Sequence, residues 1–108
     1  MNIERFVIIA SNWSWGRGKD LAEAAKNANC LSTNKKRIKK GIKAFGYKVI
    51  VDSPLTEELI KRYKAAYGLK DYKPGDFCEP FVDNHGSVTV LGTGSVQELG
   101  EIKELEAV

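Results

Sequence analysis

The sequence has few of the residue types on which enzymes and metalloproteins most often depend. It contains one histidine, His85, and two cysteines, Cys30 and Cys78. A structural zinc site needs four ligands at characteristic spacings, which these residues do not supply, so neither a metal nor another cofactor is expected. A cysteine nucleophile with a histidine base is formally available in Cys78 and His85. A lone thiol and a turn histidine are more often structural, so no catalytic residue is assigned and a non-enzymatic role is favoured.

Long apolar runs are also lacking. The run Phe6–Ala10 near the N-terminus is too short to span a membrane, and no signal-peptide cleavage pattern accompanies it. We therefore expect a cytoplasmic protein that has no membrane partner. In a reducing compartment Cys30 and Cys78 should stay thiols, so a disulfide is not expected.

What the chain does have is the make-up of an ordinary folded domain. Its 108 residues are 43% hydrophobic and 29% charged, which is far from the signature of disorder. That length supports one hydrophobic core and is too short for two ordinary domains, so residues 1–108 are expected to form a single domain.

The hydrophobic pattern predicts an α+β fold, in which two to three helices pack on one face of a small sheet. β-Prone runs predict strands at Phe6–Ala10 and Tyr47–Val51, and a hairpin whose turn is Asp83–Gly86. The segment Ser14–Gly18 is predicted to be a turn. The C-terminal segment is ambiguous, because Ser95 and Glu98 resemble a helix capping box while a terminal strand remains open.

Three helices are predicted from apolar spacing and capping residues. The first begins after Asp20, and its apolar side consists of Leu21, Ala24, Ala25, Ala28 and Leu31. The second covers Asn34–Phe45, with Ile38, Ile42 and Phe45 at helical spacing and Gly46 placed to end it. The third follows Ser53-Pro54, carries an apolar stripe from Leu55 to Tyr67, and ends at Gly68.

Charge is distributed very unevenly along the chain. Up to Lys73 there are 16 Lys and Arg against 7 Asp and Glu, a net of +9, whereas the remainder carries Lys103 against 7 acids, a net of −6. The predicted second helix is the most basic part. Its cations are Lys35, Lys36, Arg37, Lys39, Lys40 and Lys43, and no acid occurs between Asn27 and Val51.

Such a concentration of like charge needs a balancing partner. Three alternatives are open: solvent ions, the acidic C-terminal part, or an external polyanion or acidic protein surface. The acids of the C-terminal part are Glu98, Glu101, Glu104 and Glu106. A nucleic acid would bind the exposed face of the second helix through its phosphates.

A second candidate is the segment Trp15-Gly16-Arg17-Gly18-Lys19 between a strand and a helix. Backbone donors at the helix start, with Arg17 and Lys19 beside them, could hold a phosphate, and this would suit an enzyme acting on a phosphorylated small molecule. The alternative is a tight turn without a ligand. Trp13 and Trp15 would project to the same face of an extended chain and could stack on bases, or they could pack in the core.

The residues Trp15-Gly16-Arg17-Gly18, Leu21, Glu23-Ala24 and Lys26-Asn27-Ala28, with the later Val82-Asp83-x-x-Gly86, resemble small uncharacterised proteins of bacteriophages and mobile elements. The resemblance covers roughly the first 30 residues and one hairpin, and it identifies no site residue. It implies a mobile-element origin. Small proteins that block host machinery, including anti-CRISPR proteins, are common there.

The sequence thus favours a small binding protein, phage-encoded as the resemblance implies, whose partner is nucleic acid or a protein site that normally holds nucleic acid. Its predicted partner-binding residues are Trp13, Trp15, Arg17, Lys19, Lys35, Lys36, Arg37, Lys39, Lys40 and Lys43. The rival hypothesis is an inhibitor that docks on a host protein complex.

Overall fold

The computed structural model describes residues 2–105, and at its centre is a four-stranded antiparallel sheet. The strands of the chain are β1 (Ile3–Ala10), β2 (Trp15–Gly18), β3 (Ala44–Val51), β4 (Phe81–Val82), β5 (Val88–Thr89) and β6 (Gly94–Glu101). The order in the main sheet is β2-β1-β3-β6, while β4 and β5 pair as a separate hairpin. The predicted α+β class, both predicted strands and the hairpin are confirmed, and the ambiguous C-terminal segment is a strand.

The first helix, α1 (Leu21–Asn27), begins where the sequence predicts. Asp20 is its N-cap, and the Asp20 carboxylate accepts a hydrogen bond from the Glu23 N–H at 2.8 Å. The Glu23 carboxylate in turn accepts a hydrogen bond from the Lys19 N–H at 3.3 Å, which completes the capping box. The buried residues of α1 are Leu21, Ala24 and Ala25, and they pack on β1 and β2. Small side chains on this face let the helix approach the sheet closely.

The segment Trp15–Gly18 was predicted to be part of a turn, but it forms the edge strand β2. Its two glycines lie on the side of the sheet that α1 covers. A Cβ atom on Gly16 would lie 2.3 Å from the backbone nitrogen of Ala28. A Cβ atom on Gly18 would lie 2.6 Å from the Cβ atom of Glu23. The glycines therefore allow α1 to pack directly on β2. In the sequence, a glycine needed for such close packing looks the same as a glycine that forms a turn.

The predicted helix over Asn34–Phe45 is wrong. Residues 32–43 form an irregular segment, here named the cationic loop, and strand β3 begins directly after it at Ala44. Inside the loop the Arg37 N–H donates to the Asn34 carbonyl at 2.9 Å, and Gly41 has a φ of 86°. Clustered lysines without acids disfavour a helix, since like charges one turn apart repel. Phe45 instead pairs with Ile9 in the β1–β3 ladder, so tertiary strand pairing overrides the helical spacing.

Segment 77–90, which contains the β4–β5 hairpin, packs on the face of the sheet opposite α1. The buried residues of this layer are Val7, Val49 and Val51, and residues packed against them include Ile9, Trp15, Tyr47, Phe77, Val82, Val88 and Val90. In the hairpin turn the Asp83 carboxylate accepts hydrogen bonds from the Ser87 N–H at 3.0 Å and the His85 N–H at 2.8 Å. These bonds hold the pKa of Asp83 below its usual value. An ion pair between Arg5 and Glu79, at 2.6 Å, joins the segment to β1.

The second helix, α2 (Glu57–Tyr67), packs on the segment that follows it. Its N-cap is Thr56 and not Ser53, because the Thr56 hydroxyl accepts a hydrogen bond from the Leu59 N–H at 3.1 Å. Its end at Gly68, in the left-handed conformation at φ 64°, is as predicted. The core beside it consists of Leu55, Leu69, Cys78 and Leu91, together with Leu59, Ile60, Tyr63, Tyr72 and Phe81. The predicted packing of all helices on one face of the sheet is therefore not observed, since α1 alone lies there.

The final strand, β6, pairs with β3 along its length and contains one irregularity near Gly100, which has a φ of 80°. Beyond it Ile102 is buried in the α1 core, and the Ile102 N–H donates to the Ala44 carbonyl at 2.7 Å. The chain then passes the cationic loop. Within residues 2–105 no helix is long and apolar enough to cross a membrane.

Candidate nucleic-acid interface

The cationic loop is held to the body of the protein by its two isoleucines. Ile38 and Ile42 pack against the α1 core, and Ile38 also forms an isolated β-bridge with Leu31. The Lys39 N–H donates to the Cys30 carbonyl at 2.8 Å. Apolar anchoring at Ile38 and Ile42 leaves most of the basic side chains exposed, and Lys39 is half-buried. All the predicted cations between residues 35 and 43 therefore lie on one loop, although it is not helical.

Part of this charge is matched within the chain. Arg37 forms an ion pair with Glu104 at 2.8 Å, and both side chains are more than half exposed. The Lys39 ammonium donates to the Asn29 carbonyl at 3.2 Å. Lys36 makes an interaction of its own, and its carbonyl accepts a hydrogen bond from the Leu105 N–H at 2.9 Å.

Among residues 2–105, the rest of the loop's charge has no carboxylate opposite it. Lys35, Lys40 and Lys43 are exposed, and none forms an ion pair with an acid among residues 2–105. Glu98 and Glu101 lie on β6 in register with Tyr47 and Phe45, and they form no ion pair with the loop. Glu106 lies outside the described residues. Within the described part of the chain, the acidic C-terminal segment therefore pairs with the loop at Arg37. It leaves Lys35, Lys40 and Lys43 without a carboxylate partner there.

A shallow cavity opens between the loop and the C-terminal end of α1. It has a volume of about 240 Å³ and is lined by Lys26, Asn29, Leu31, Ser32 and Lys35. Lys26 comes from the last turn of α1 and Lys35 from the loop, so lysines from two different elements line one concave surface. Paired ammonium donors at a concave surface can hold a phosphate group as point charges.

Trp13 lies at the other end of the loop. It occupies the tight turn after β1 with a φ of 70°, and 85% of its surface is exposed. Two hydrogen bonds join this turn to the loop: the Ser11 N–H donates to the Lys43 carbonyl at 2.8 Å, and the Lys43 N–H donates to the Ser11 hydroxyl at 3.0 Å. The turn that carries exposed Trp13 is therefore joined to the end of the cationic loop by residues far apart in sequence, and a Cβ atom on Gly86 of the hairpin would lie 3.8 Å from the Trp13 ring.

Trp15 and Arg17 do not belong to this surface. They lie on β2 and face the layer opposite α1, where Trp15 is part of the apolar cluster. The Arg17 guanidinium donates to the carbonyl of buried Pro80 at 2.9 Å, and its Cζ atom lies 5.7 Å from the Trp15 ring centroid. The chain is not extended at Trp13, where φ is 70°, and the shared projection of Trp13 and Trp15 stays a prediction. Trp15 and Arg17 hold the covering segment on the sheet.

The capping of α1 disfavours a phosphate at the segment Gly16–Lys19. Lys19 is exposed, but its N–H is already used by Glu23, and the Asp20 carboxylate occupies the start of α1. Two carboxylates in the first turn repel an anion. The phosphorylated-substrate hypothesis for this turn therefore finds no support in the geometry.

The two thiols are not poised for chemistry. Cys30 and Cys78 are both free and buried, in the α1 core and the α2 core respectively. Burial raises the pKa of each thiol above its usual value, which disfavours the reactive thiolate. His85 lies in the exposed hairpin turn. Among residues 2–105 no three His, Cys, Asp or Glu side chains are grouped as a metal site would require.

We expect Arg17→Met to destabilise the fold by about 1–3 kcal/mol, because it leaves the buried Pro80 carbonyl without its donor. Methionine keeps the apolar part of the side chain, so the loss is chiefly that of the hydrogen bond and charge. Urea unfolding measures the effect, and Lys19→Met, at an exposed side chain, is the control that should change stability by less than about 0.5 kcal/mol. If Arg17→Met instead bound an oligonucleotide more weakly at unchanged stability, Arg17 would belong to the nucleic-acid interface.

Lys26, Asn29 and Ser11 are contributors that the sequence did not single out. Lys26 belongs to α1 in both prediction and structure, but its proximity to Lys35 depends on the loop that replaces the predicted second helix.

Comparison with protein-family models, with curated proteins and with solved structures gives no match to this chain.

Proposed function

We propose that this protein binds nucleic acid without acting as an enzyme, through a surface formed by the cationic loop, Lys26 and Trp13. The observation that carries the proposal is that a loop with lysines unmatched among residues 2–105 is hydrogen-bonded at its end to the turn that carries an exposed tryptophan. Lys43 is joined to the Trp13 turn by backbone and hydroxyl hydrogen bonds, and Lys35 flanks a concave surface with Lys26. Aromatic stacking together with phosphate contacts is the usual chemistry of single-strand recognition.

Single-stranded nucleic acid is favoured over duplex by the shape of the surface. A helix that could enter a major groove, as the sequence predicts over Asn34–Phe45, is not present at this position. Trp13 is available to a base only where that base is unstacked, as in a single strand. The loop lysines would then follow the backbone on either side of the stacked base.

The test is a fluorescence titration with a short single-stranded oligonucleotide and a duplex of the same length. Stacking on Trp13 should quench part of the emission, while half-buried Trp15 remains unaffected. Binding of the single strand should weaken with salt, with a log-log slope of about −0.7 for each phosphate neutralised. Preferential duplex binding without quenching would contradict the stacking role, and no binding of either at low salt would contradict the function.

The rival, docking on a host protein complex, is supported by the segmental resemblance to mobile-element proteins. Most of the residues on which the resemblance rests have structural roles in this fold. Gly16 and Gly18 allow α1 to pack closely on β2, and Asp83 accepts hydrogen bonds that close the hairpin turn. Capture of partners from a lysate with and without nuclease separates the two functions. A protein partner that survives nuclease would favour docking.

A further inference from the structure

The two edges of the main sheet differ in how they are protected. At the β2 edge the outward carbonyl of Arg17 accepts a hydrogen bond from the Asn27 side chain at 2.7 Å, so α1 caps that edge. The β6 edge has no such cover among residues 2–105: β3 is its only neighbour, and every residue of β6 except Leu99 is exposed. Long open edges present unpaired backbone groups to other strands.

The outward-facing groups of β6 follow from the ladder with β3. Directly before β6, the Asp52 N–H donates to the Thr93 carbonyl at 3.1 Å and the Thr93 N–H donates to the Ser53 hydroxyl at 2.7 Å, so Thr93 occupies a hydrogen-bonded position opposite Asp52. Hydrogen-bonded and non-hydrogen-bonded pairs alternate along antiparallel strands. Alternation therefore directs the N–H and C=O groups of Gly94, Val96 and Glu98 away from β3.

We propose that this edge pairs with the same edge of a second copy, antiparallel and centred on Val96, to form a continuous sheet twice as wide. In this register Val96 faces Val96 of the second copy, and Glu98 faces Gly94, which has no side chain. Ser95 faces Gln97, a pair of compatible polar side chains. Each outward N–H then meets an outward C=O, as a two-fold symmetric interface requires.

Side-chain chemistry selects this register over its neighbours. Moving the axis to Glu98 would place two carboxylates directly opposite each other, which is destabilising. Centring on Val96 instead buries an apolar side chain that is 43% exposed in the single chain. Because β6 is self-complementary in this arrangement of small, apolar and polar positions, a second copy is an occupant that its sequence fits.

The pairing is independent of the nucleic-acid interface. Glu104, which contacts the cationic loop, lies beyond the C-terminal end of β6, whereas Val96 is the third residue of that strand. The cationic loops of the two copies would therefore lie at opposite ends of the double sheet. Failure of either proposal leaves the other standing.

The experiment is sedimentation velocity of the full chain across a wide range of concentrations, with charge variants at the axis. The wild type should change from monomer to dimer as its concentration rises. Val96→Lys and Val96→Glu should each raise the dimer dissociation constant by about tenfold or more, because like charges then face each other. An equimolar mixture of the two variants should restore the dimer, since the axis then holds opposite charges.

Two further variants make the result specific. Ser95→Lys adds the same charge one position from the axis, opposite Gln97, and should leave the dimer largely intact. Val96→Pro removes an outward N–H without breaking a bond to β3, and should weaken the dimer while circular dichroism shows the fold retained. A wild type that stays monomeric at all concentrations, or whose edge pairs only with another protein, would overturn the proposal. So would a dimer that is indifferent to every change at Val96.

Discussion

Replacing Gly16 with alanine is expected to cost about 3 kcal/mol or more of folding free energy. The added Cβ would lie 2.3 Å from the Ala28 nitrogen and 2.5 Å from the Ala24 carbonyl oxygen. Both are backbone atoms, so no side-chain rotation relieves the overlap, and α1 must move off the sheet. Overpacking of a rigid core usually costs about 1–3 kcal/mol, and this contact is at the severe end of that range.

Gly41→Ala is the matched control for this variant. Gly41 has a φ of 86° and open space around the position of a Cβ, so alanine there should cost only the roughly 1–2 kcal/mol of a left-handed conformation. Urea and thermal unfolding of both variants measure the difference. Equal stability losses would mean that α1 does not press on β2 as described.

Reversing the charge of Lys35, Lys40 and Lys43 together is expected to weaken single-strand binding by about a hundredfold or more. Each of these lysines is exposed and unmatched by a carboxylate in the described part of the chain. Loss of a phosphate contact costs on the order of tenfold, and the introduced glutamates add repulsion. The salt dependence of the residual binding should become shallower as well.

The control for the triple variant changes the same number of charges elsewhere. Lys61, Lys64 and Lys70 are exposed on or just after α2, in the half of the protein that packs away from α1. Their replacement by glutamate should reduce affinity by only a few fold, through net charge alone. Similar losses for the two triple variants, at retained stability in both, would show that overall charge and not the loop governs binding.

Local signals predicted the elements whose causes are local. The Asp20 cap, the Gly68 stop and the Asp83 turn are each satisfied by residues within a few positions, so the sequence suffices to place them. Gly16 and Gly18 are different, since the need for glycine there arises from Ala28 and Glu23 on the packed helix. A glycine required by tertiary contact and one required by a turn look the same in a sequence.

In the cationic segment, too, tertiary contacts override what the local sequence pattern predicts. Ile38, Ile42 and Phe45 have helical spacing, yet the isoleucines anchor a loop and Phe45 enters a strand. The positions of the lysines on the surface could be predicted because charge stays in water whatever the backbone does. Which turn would be joined to the end of the loop could not, because the link between Ser11 and Lys43 spans 32 positions of the chain.

The two buried cysteines lie in separate apolar clusters, Cys30 beneath α1 and Cys78 beside α2. Each thiol becomes accessible to an alkylating reagent only when its own cluster opens, so the two reaction rates report on two parts of the molecule at once. Equal rates would mean that the protein opens as one unit. Unequal rates would rank the two clusters by their local opening free energy, with no engineered label.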